Sequence, residues 1–93
     1  MNFTMSIGLA LLVSADPVTI QQFSLALQAL SISSEVCREI PAAVGLLSHR
    51  KFEAVIVDLQ LGEQCRSILD EVHVSPSNRT AVTFAIGRTE FQT

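Results

Sequence analysis

The chain has 93 residues, of which 48% are hydrophobic and 16% are charged, and its formal net charge is -3. This length suits one domain, and this composition favours a packed core over a disordered chain. The six basic residues are scattered along the sequence and form no stripe that could follow a phosphate backbone, so we do not expect nucleic-acid binding. No apolar run approaches the roughly 20 residues of a membrane span. We therefore expect a single cytoplasmic domain over residues 1–93 that does not enter a membrane.

The first third of the chain predicts a strand followed by a helix. Residues 7–13 form a short continuous apolar run, which is typical of a strand that is buried on both faces. An alternative is that MSIGLALLVSA is a signal peptide, but no Lys or Arg precedes it. Asp16 and Pro17 then predict a helix N-terminus, with the helix running to about Leu30. Its sheet-facing residues recur at helical spacing: Ile20, Phe23, Leu27 and Leu30.

The rest of the chain continues the alternation of strands and helices. The predicted elements are a strand at 33–38, a helix from Pro41 to the basic residues at 49–51, a strand at 54–57, a helix at 62–72 and a strand at 80–86. The order β-α-β-α-β-α-β indicates an α/β fold with a mostly parallel sheet between two layers of helices. Ligands of such folds gather at the carboxyl ends of the strands, and Asp58 lies at one of these ends.

Most of the other reactive side chains do not form a recognisable site. Cys37 and Cys65 lack metal-ligand or redox spacing, so we predict two buried thiols. His49 and His73 are isolated from any nucleophile, and we predict that they lie at the surface. Asn78 begins an N-glycosylation sequon, which has a meaning only on the secretory route. Three phenylalanines are expected in the core and two near the termini against a partner: Phe23, Phe52 and Phe84, and Phe3 and Phe91.

Two stretches, ALLVSADPVT and FEAVIVDLQL, resemble the receiver domain of bacterial response regulators. The resemblance covers the chain but only the first two thirds of a receiver. It implies a flavodoxin-like sheet of order 2-1-3-4 that lacks the fifth strand and the last helices. A weaker similarity, carried by SPSNRTAVTFAI, is to pseudo-receiver modules that precede PilZ domains.

The resemblance implies that Asp58 is the phosphoacceptor, which would need a magnesium ion and a cation beside it. The family's acidic pair falls on Ser14 and Ala15, which cannot replace it, and Asp16 would reach the ion only if its loop shifted. The family's switch hydroxyl falls on Ile86, and the family's lysine lies beyond this chain. Asp58 and Asp16 are therefore candidate metal ligands only in a phosphoacceptor.

These departures favour a non-enzymatic, degenerate receiver-like module that acts through protein contacts and needs no cofactor. Without the fifth strand and the last helices, we expect a free sheet edge and solvent-exposed apolar residues on the first and third strands. We therefore expect a protein partner or a homodimer. The alternative is a receiver that is phosphorylated at Asp58 with Mg²⁺. A third possibility is that the chain is the N-terminal fragment of a longer protein.

Overall fold

A computed structural model of the chain describes residues 8–87. It contains four strands, three helices and one 3-10 turn within that range. The strands are β1 (Gly8–Val13), β2 (Ile32–Cys37), β3 (Ala54–Asp58) and β4 (Val82–Ile86). The helices are α1 (Pro17–Ala29), α2 (Ile40–His49) and α3 (Cys65–Val74), and the 3-10 turn is Leu59–Leu61.

The element order agrees with the prediction, while several boundaries differ. The largest difference is at α3, which was expected at residues 62–72 and begins only at Cys65, because the 3-10 turn and Gly62 come first. Gly62 has a φ of 101°, a value that few other residues adopt, so the chain cannot continue from the 3-10 turn directly into a helix there. The N-terminus of α1 is as expected, because the Asp16 carboxylate accepts a hydrogen bond from the Thr19 backbone N–H at 3.3 Å.

The four strands form a parallel sheet of order β2-β1-β3-β4, which confirms the predicted topology. β1 lies in the middle and pairs with β2 on one side and with β3 on the other. Within the described residues, β4 pairs only with β3 and is an edge strand. Because all strands run in the same direction, the carboxyl ends of β1 and β3 lie beside each other at one rim of the sheet.

The core has two parts, one on each face of the sheet. One part lies under α2 and α3 and contains Leu11, Val55, Phe52 and both buried cysteines. The other part lies under α1 alone. The prediction that apolar residues of the first and third strands are exposed to solvent is wrong at this face. Its strand residues Ala10, Leu12 and Ile56 are buried, because α1 and its half-buried apolar residues suffice to cover them.

Much of the exposed apolar surface lies instead on or beside α1 and on β4. Phe84 was expected in the core, but 53% of its surface is exposed, because no described element covers β4. Leu30 was expected to face the sheet, but it lies just beyond the last turn of α1 and is exposed. Phe52 is buried, as predicted, whereas Phe23 is only half-buried and packs against the margin of the core under α1. The predictions for Phe3 and Phe91 fall outside the described residues.

Asn78 links three parts of the fold through its side chain. Its Nδ2 atom donates to the backbone oxygens of Leu47 at 2.8 Å and Arg50 at 2.7 Å, and its Oδ1 atom accepts from the Phe52 N–H at 2.7 Å. The side chain is fully buried, and these bonds tie the end of α2 to the segment before β3. The buried and fully bonded amide gives the sequon a structural explanation.

Candidate functional site

The candidate site lies where β1 and β3 reach the rim of the sheet. Ser14 follows the last residue of β1, and Asp58 is the last residue of β3. Both side chains are buried, with Asp58 only 2% exposed and Ser14 not exposed at all. Asp58 is therefore not a solvated strand end.

Hydrogen bonds occupy both carboxylate oxygens of Asp58. The Ser14 hydroxyl donates to Oδ2 at 2.8 Å, and the Gln60 backbone N–H donates to Oδ1 at 3.0 Å. The second bond caps the 3-10 turn that follows β3. Two donors that converge on one buried carboxylate offset much of its loss of hydration.

Ser14 is itself held in place from two directions. Its backbone N–H donates to the Cys37 carbonyl at 2.9 Å, which continues the pairing of β1 with β2. Its hydroxyl oxygen accepts a hydrogen bond from the Asp16 backbone N–H at 3.2 Å. The Ser14 hydroxyl thus accepts one hydrogen bond from the loop and donates its single proton to Asp58. Ser14 therefore joins the β1 loop to the end of β3.

Asp16 lies at the same rim, but its observed bonds turn it toward α1. Its Oδ2 atom accepts from the Thr19 hydroxyl at 2.6 Å and from the Thr19 backbone N–H at 3.3 Å. Asp16 and Asp58 line one cavity of about 250 Å³, together with Ala15, Gln60 and Leu61. The structure thus brings the two predicted carboxylates to one cavity, and none of the residues 8–87 that line it is basic.

Cys65 approaches the site from below, at the first position of α3. Its Sγ atom lies 3.4 Å from the Asp58 backbone oxygen and donates to it. Burial raises the pKa of the Cys65 thiol above its usual value, and the negative charge of Asp58 raises it further. A thiol with a raised pKa stays protonated and is a poor nucleophile. Cys65 is therefore a packing residue and a hydrogen-bond donor.

The neighbouring strand offers the site no hydroxyl group. Ile86 is the register partner of Asp58 across β3 and β4, so the residue that aligns with the family's switch position does lie beside the carboxylate. Its side chain packs with the core under α1 and cannot donate a hydrogen bond. Thr83 lies three residues earlier, opposite Val55, and is too far along β4 to reach Asp58.

The residues present do not make up a good magnesium site. Mg²⁺ requires near-octahedral oxygen ligands, normally with one or two carboxylates directed at it. Here Asp58 is engaged by Ser14 and Gln60, and the observed bonds of Asp16 are those of a helix cap. Within residues 8–87 there is no cluster of three or more His, Cys, Asp or Glu side chains that could hold a metal ion.

The sequence did not indicate the role of Ser14. The resemblance implies an absent acidic ligand at Ser14, whereas the structure shows a hydrogen-bond donor to Asp58. The signal that could have revealed it is a small hydroxyl residue directly after one central strand and an acid directly at the end of the next. Parallel pairing of those two strands brings such residues together.

Several solved structures with the same fold are receiver domains or response regulators. The receiver domain of a sensor histidine kinase from Pseudomonas aeruginosa, with a magnesium ion in its active-site cleft, matches with a TM-score of 0.74 at 20% identity over 84% of this chain and 65% of that one. A receiver domain from Methylobacillus flagellatus also has a TM-score of 0.74, at 21% identity, over 88% of this chain and 70% of that one. A response regulator from Burkholderia pseudomallei with a phosphorylated aspartic acid, a calcium ion and citrate has a TM-score of 0.70 at 20% identity, over 85% of this chain and 46% of that one.

The chain therefore forms a receiver-like domain. At 20 to 21% identity the likeness establishes the fold, and the chain spans only 65% of the first of these structures. No family model matches the sequence, and no curated protein matches it significantly. The comparisons do not support the similarity to modules of PilZ-domain proteins, which stays a prediction. Among residues 8–87, none of the helices has the length and hydropathy to cross a membrane.

Proposed function

We propose that the protein is a degenerate, non-enzymatic receiver-like signalling module that works through protein contacts and without phosphorylation. The observation that carries this proposal is the state of Asp58, whose two carboxylate oxygens are both bonded to donors of the chain itself. A phosphoacceptor carboxylate must present an oxygen to the phosphoryl donor, with cations beside it to neutralise the transferred group. Here the Ser14 hydroxyl is bonded to Oδ2, one of the two oxygens that a phosphoryl donor could reach.

Burial supports the same proposal. In the described structure Asp58 is almost fully covered, so an incoming phosphoryl group would have to displace Ser14 and open the rim. No basic side chain from the described part of the chain lines the adjacent cavity, and Ile86 offers no hydroxyl to a phosphoryl oxygen. The module would then act as a scaffold whose rim is held in one conformation by the bond between Ser14 and Asp58.

The alternative function is a true phosphoacceptor, and one observation favours it. Asp58 ends β3 and shares a cavity of about 250 Å³ with Asp16, which is room enough for a phosphoryl group if the Ser14 bond opens. In that case Asp58 would be the phosphoacceptor, and Asp58 and Asp16 would ligate Mg²⁺. The Burkholderia pseudomallei response regulator with a phosphorylated aspartic acid has the same fold, although the match covers only 46% of that chain.

The two functions differ in a single mass measurement. The protein is incubated with acetyl phosphate and Mg²⁺, and its intact mass is recorded beside that of a receiver domain known to accept the phosphoryl group under the same conditions. We expect no added phosphoryl mass on this chain. A phosphoryl adduct that is lost in Asp58→Asn, but retained when the exposed Asp70 is changed to Asn, would refute the proposal and establish the alternative.

A further inference from the structure

β4 is an edge strand without the features that normally protect such an edge. Its five residues, VTFAI, include no charged residue and no proline, and the first four are exposed. Natural edge strands are usually blocked by charges, proline, bulges or a covering element, because their open backbone groups can pair with another chain. Within residues 8–87 none of these devices protects β4, so its outer edge is available for pairing.

The backbone pattern identifies the groups that point outward. The Val82 N–H donates to the Glu53 carbonyl at 3.0 Å, so Val82 turns its backbone groups toward β3. Alternate residues of a strand direct their N–H and C=O groups to opposite sides. Phe84 and Ile86 therefore also bond toward β3, while Thr83 and Ala85 present their N–H and C=O groups at the outer edge.

We propose that a second copy of this chain pairs with this edge, antiparallel, about a two-fold axis at Phe84. In this register Thr83 of each copy lies opposite the second copy's Ala85, and the two residues exchange both backbone hydrogen bonds. Because this occurs twice, all four outward N–H and C=O pairs of the two edges are satisfied. The two four-stranded sheets then form one continuous eight-stranded sheet.

The side chains of β4 are self-complementary in this register. Phe84 faces the second copy's Phe84 in a non-hydrogen-bonded pair, the arrangement in which cross-strand side chains approach most closely. Val82 faces the second copy's Ile86 on the same side, which is also the side of α1. The pattern of large apolar residues at alternate positions thus meets itself, with no like charges across the axis. This symmetry favours a second copy over an unrelated partner as the occupant of the edge.

The size of the surface predicts a reversible dimer. About half of Phe84 is exposed, which leaves roughly 100 Å² of this side chain for each copy to cover. Beside it lies an apolar groove of about 610 Å³ between α1 and β4, lined by Phe23, Leu30 and Ile56 among others. The edge strand contributes five residues, whereas a standard stable interface has roughly 20 to 30 residues on each side. We therefore expect association at high protein concentration.

This pairing deepens the proposed contact function, but it is independent of the site at Asp58. The intact-mass measurement described above tests phosphorylation. The pairing is tested on the unphosphorylated 93-residue chain, by sedimentation and by amide hydrogen exchange. Sedimentation equilibrium from about 1 µM to about 1 mM should show a monomer that converts to a dimer. Amide hydrogen exchange at Thr83 and Ala85 should slow as the concentration rises, while exchange at the exposed end of α1 should not change.

Two variants address the edge and one serves as a matched control. Phe84→Lys places two positive charges at the axis, and Ala85→Pro removes an outward N–H without touching the bonds to β3. Each should weaken dimerisation at least tenfold. Leu25→Lys is the control, because Leu25 is exposed to a similar extent on α1, and it should dimerise like the unchanged chain.

The proposal is overturned by a monomer across the whole concentration range. It is also overturned by a dimer that Phe84→Lys does not weaken, or by a dimer without concentration-dependent protection at Thr83 and Ala85. If Ala85→Pro does not fold by circular dichroism, Phe84→Lys and the exchange data on the unchanged chain decide the question.

Discussion

Replacement of Ser14 by alanine tests whether the bond to Asp58 holds the rim together. Ser14→Ala removes the donor to a buried carboxylate and leaves Oδ2 of Asp58 and the Asp16 N–H without their observed partner. A hydrogen bond to a charged group contributes about 1.5 to 3 kcal/mol. Because Ser14 has no exposed surface, water cannot readily replace its hydroxyl. We expect a loss of about 2 kcal/mol in the free energy of unfolding, a large share of the roughly 5 to 15 kcal/mol of a typical domain.

Urea denaturation at pH 7 followed by circular dichroism measures this loss. With a denaturant slope of about 1 to 2 kcal/mol per M, the midpoint should fall by about 1 to 2 M. The matched control is Ser48→Ala, because the exposed Ser48 hydroxyl also donates a hydrogen bond, to the Gly45 carbonyl at 2.7 Å. That change should cost less than about 0.5 kcal/mol. If the two variants lose the same small amount, Ser14 does not stabilise Asp58 and the reasoning about the site fails.

Three further predictions follow from the same contacts. Asn78→Ala should lower the free energy of unfolding in urea by about 3 kcal/mol or more, because it leaves the Leu47 carbonyl and the Phe52 N–H without their hydrogen-bond partner. A loss below about 1 kcal/mol would contradict this prediction. Burial raises the pKa of both thiols in the folded state, so folding favours the protonated thiols. Their contribution to the free energy of unfolding is complete below the ordinary thiol pKa of about 8.5 and is lost as the pH rises through the raised pKa of the folded state. Stability should therefore fall above about pH 8.5 and fall less in the Cys37→Ala/Cys65→Ala variant; equal pH profiles would show that the thiols do not contribute. Ser14→Asp should place a second carboxylate against Asp58 and make stability depend on Mg²⁺. Saturating Mg²⁺ should raise the free energy of unfolding of this variant by about 1 to 3 kcal/mol and leave that of the unchanged chain as it is. Thermal unfolding with and without Mg²⁺ measures this gain, and an equal response of the two proteins would refute the prediction.

The candidate site illustrates how a receiver-like rim can be stable without an ion. Where the resemblance implies an acid beside Asp58, this chain has a hydroxyl that donates a hydrogen bond. An acid at that position would repel Asp58 unless a cation lay between them, whereas the Ser14 hydroxyl attracts it. We therefore propose that the hydroxyl, which stands where the resemblance implies a ligand, also removes the need for the metal. This is the physical basis of the phosphorylation-independent function that we propose.

Much of the architecture followed from the sequence because its signals are local. The apolar run before Asp58 and the cap at Asp16 depend on neighbouring residues, and the strands and helix that they predict are present. The boundaries were less accurate where a special backbone conformation intervened, as at Gly62. The resemblance to receivers added the sheet order, which no single segment encodes.

The contacts of individual side chains followed less well. Phe84 has the composition of a core residue, and only the position of β4 at the edge of the sheet leaves it exposed. Asn78 matched a surface motif, yet it is buried because three backbone groups from distant segments satisfy its amide. Such outcomes depend on which elements lie above and beside a residue.

The sequence by itself determined the succession of strands and helices, because hydrophobic period and capping act over a few residues. It also placed Asp58 at the end of a buried strand. Only the tertiary structure decided what that carboxylate meets, since its partner Ser14 is 44 residues away and reaches it through the pairing of β1 with β3. The tertiary structure likewise decided that Phe84 is exposed on β4, because exposure depends on which elements cover a strand and not on local pattern.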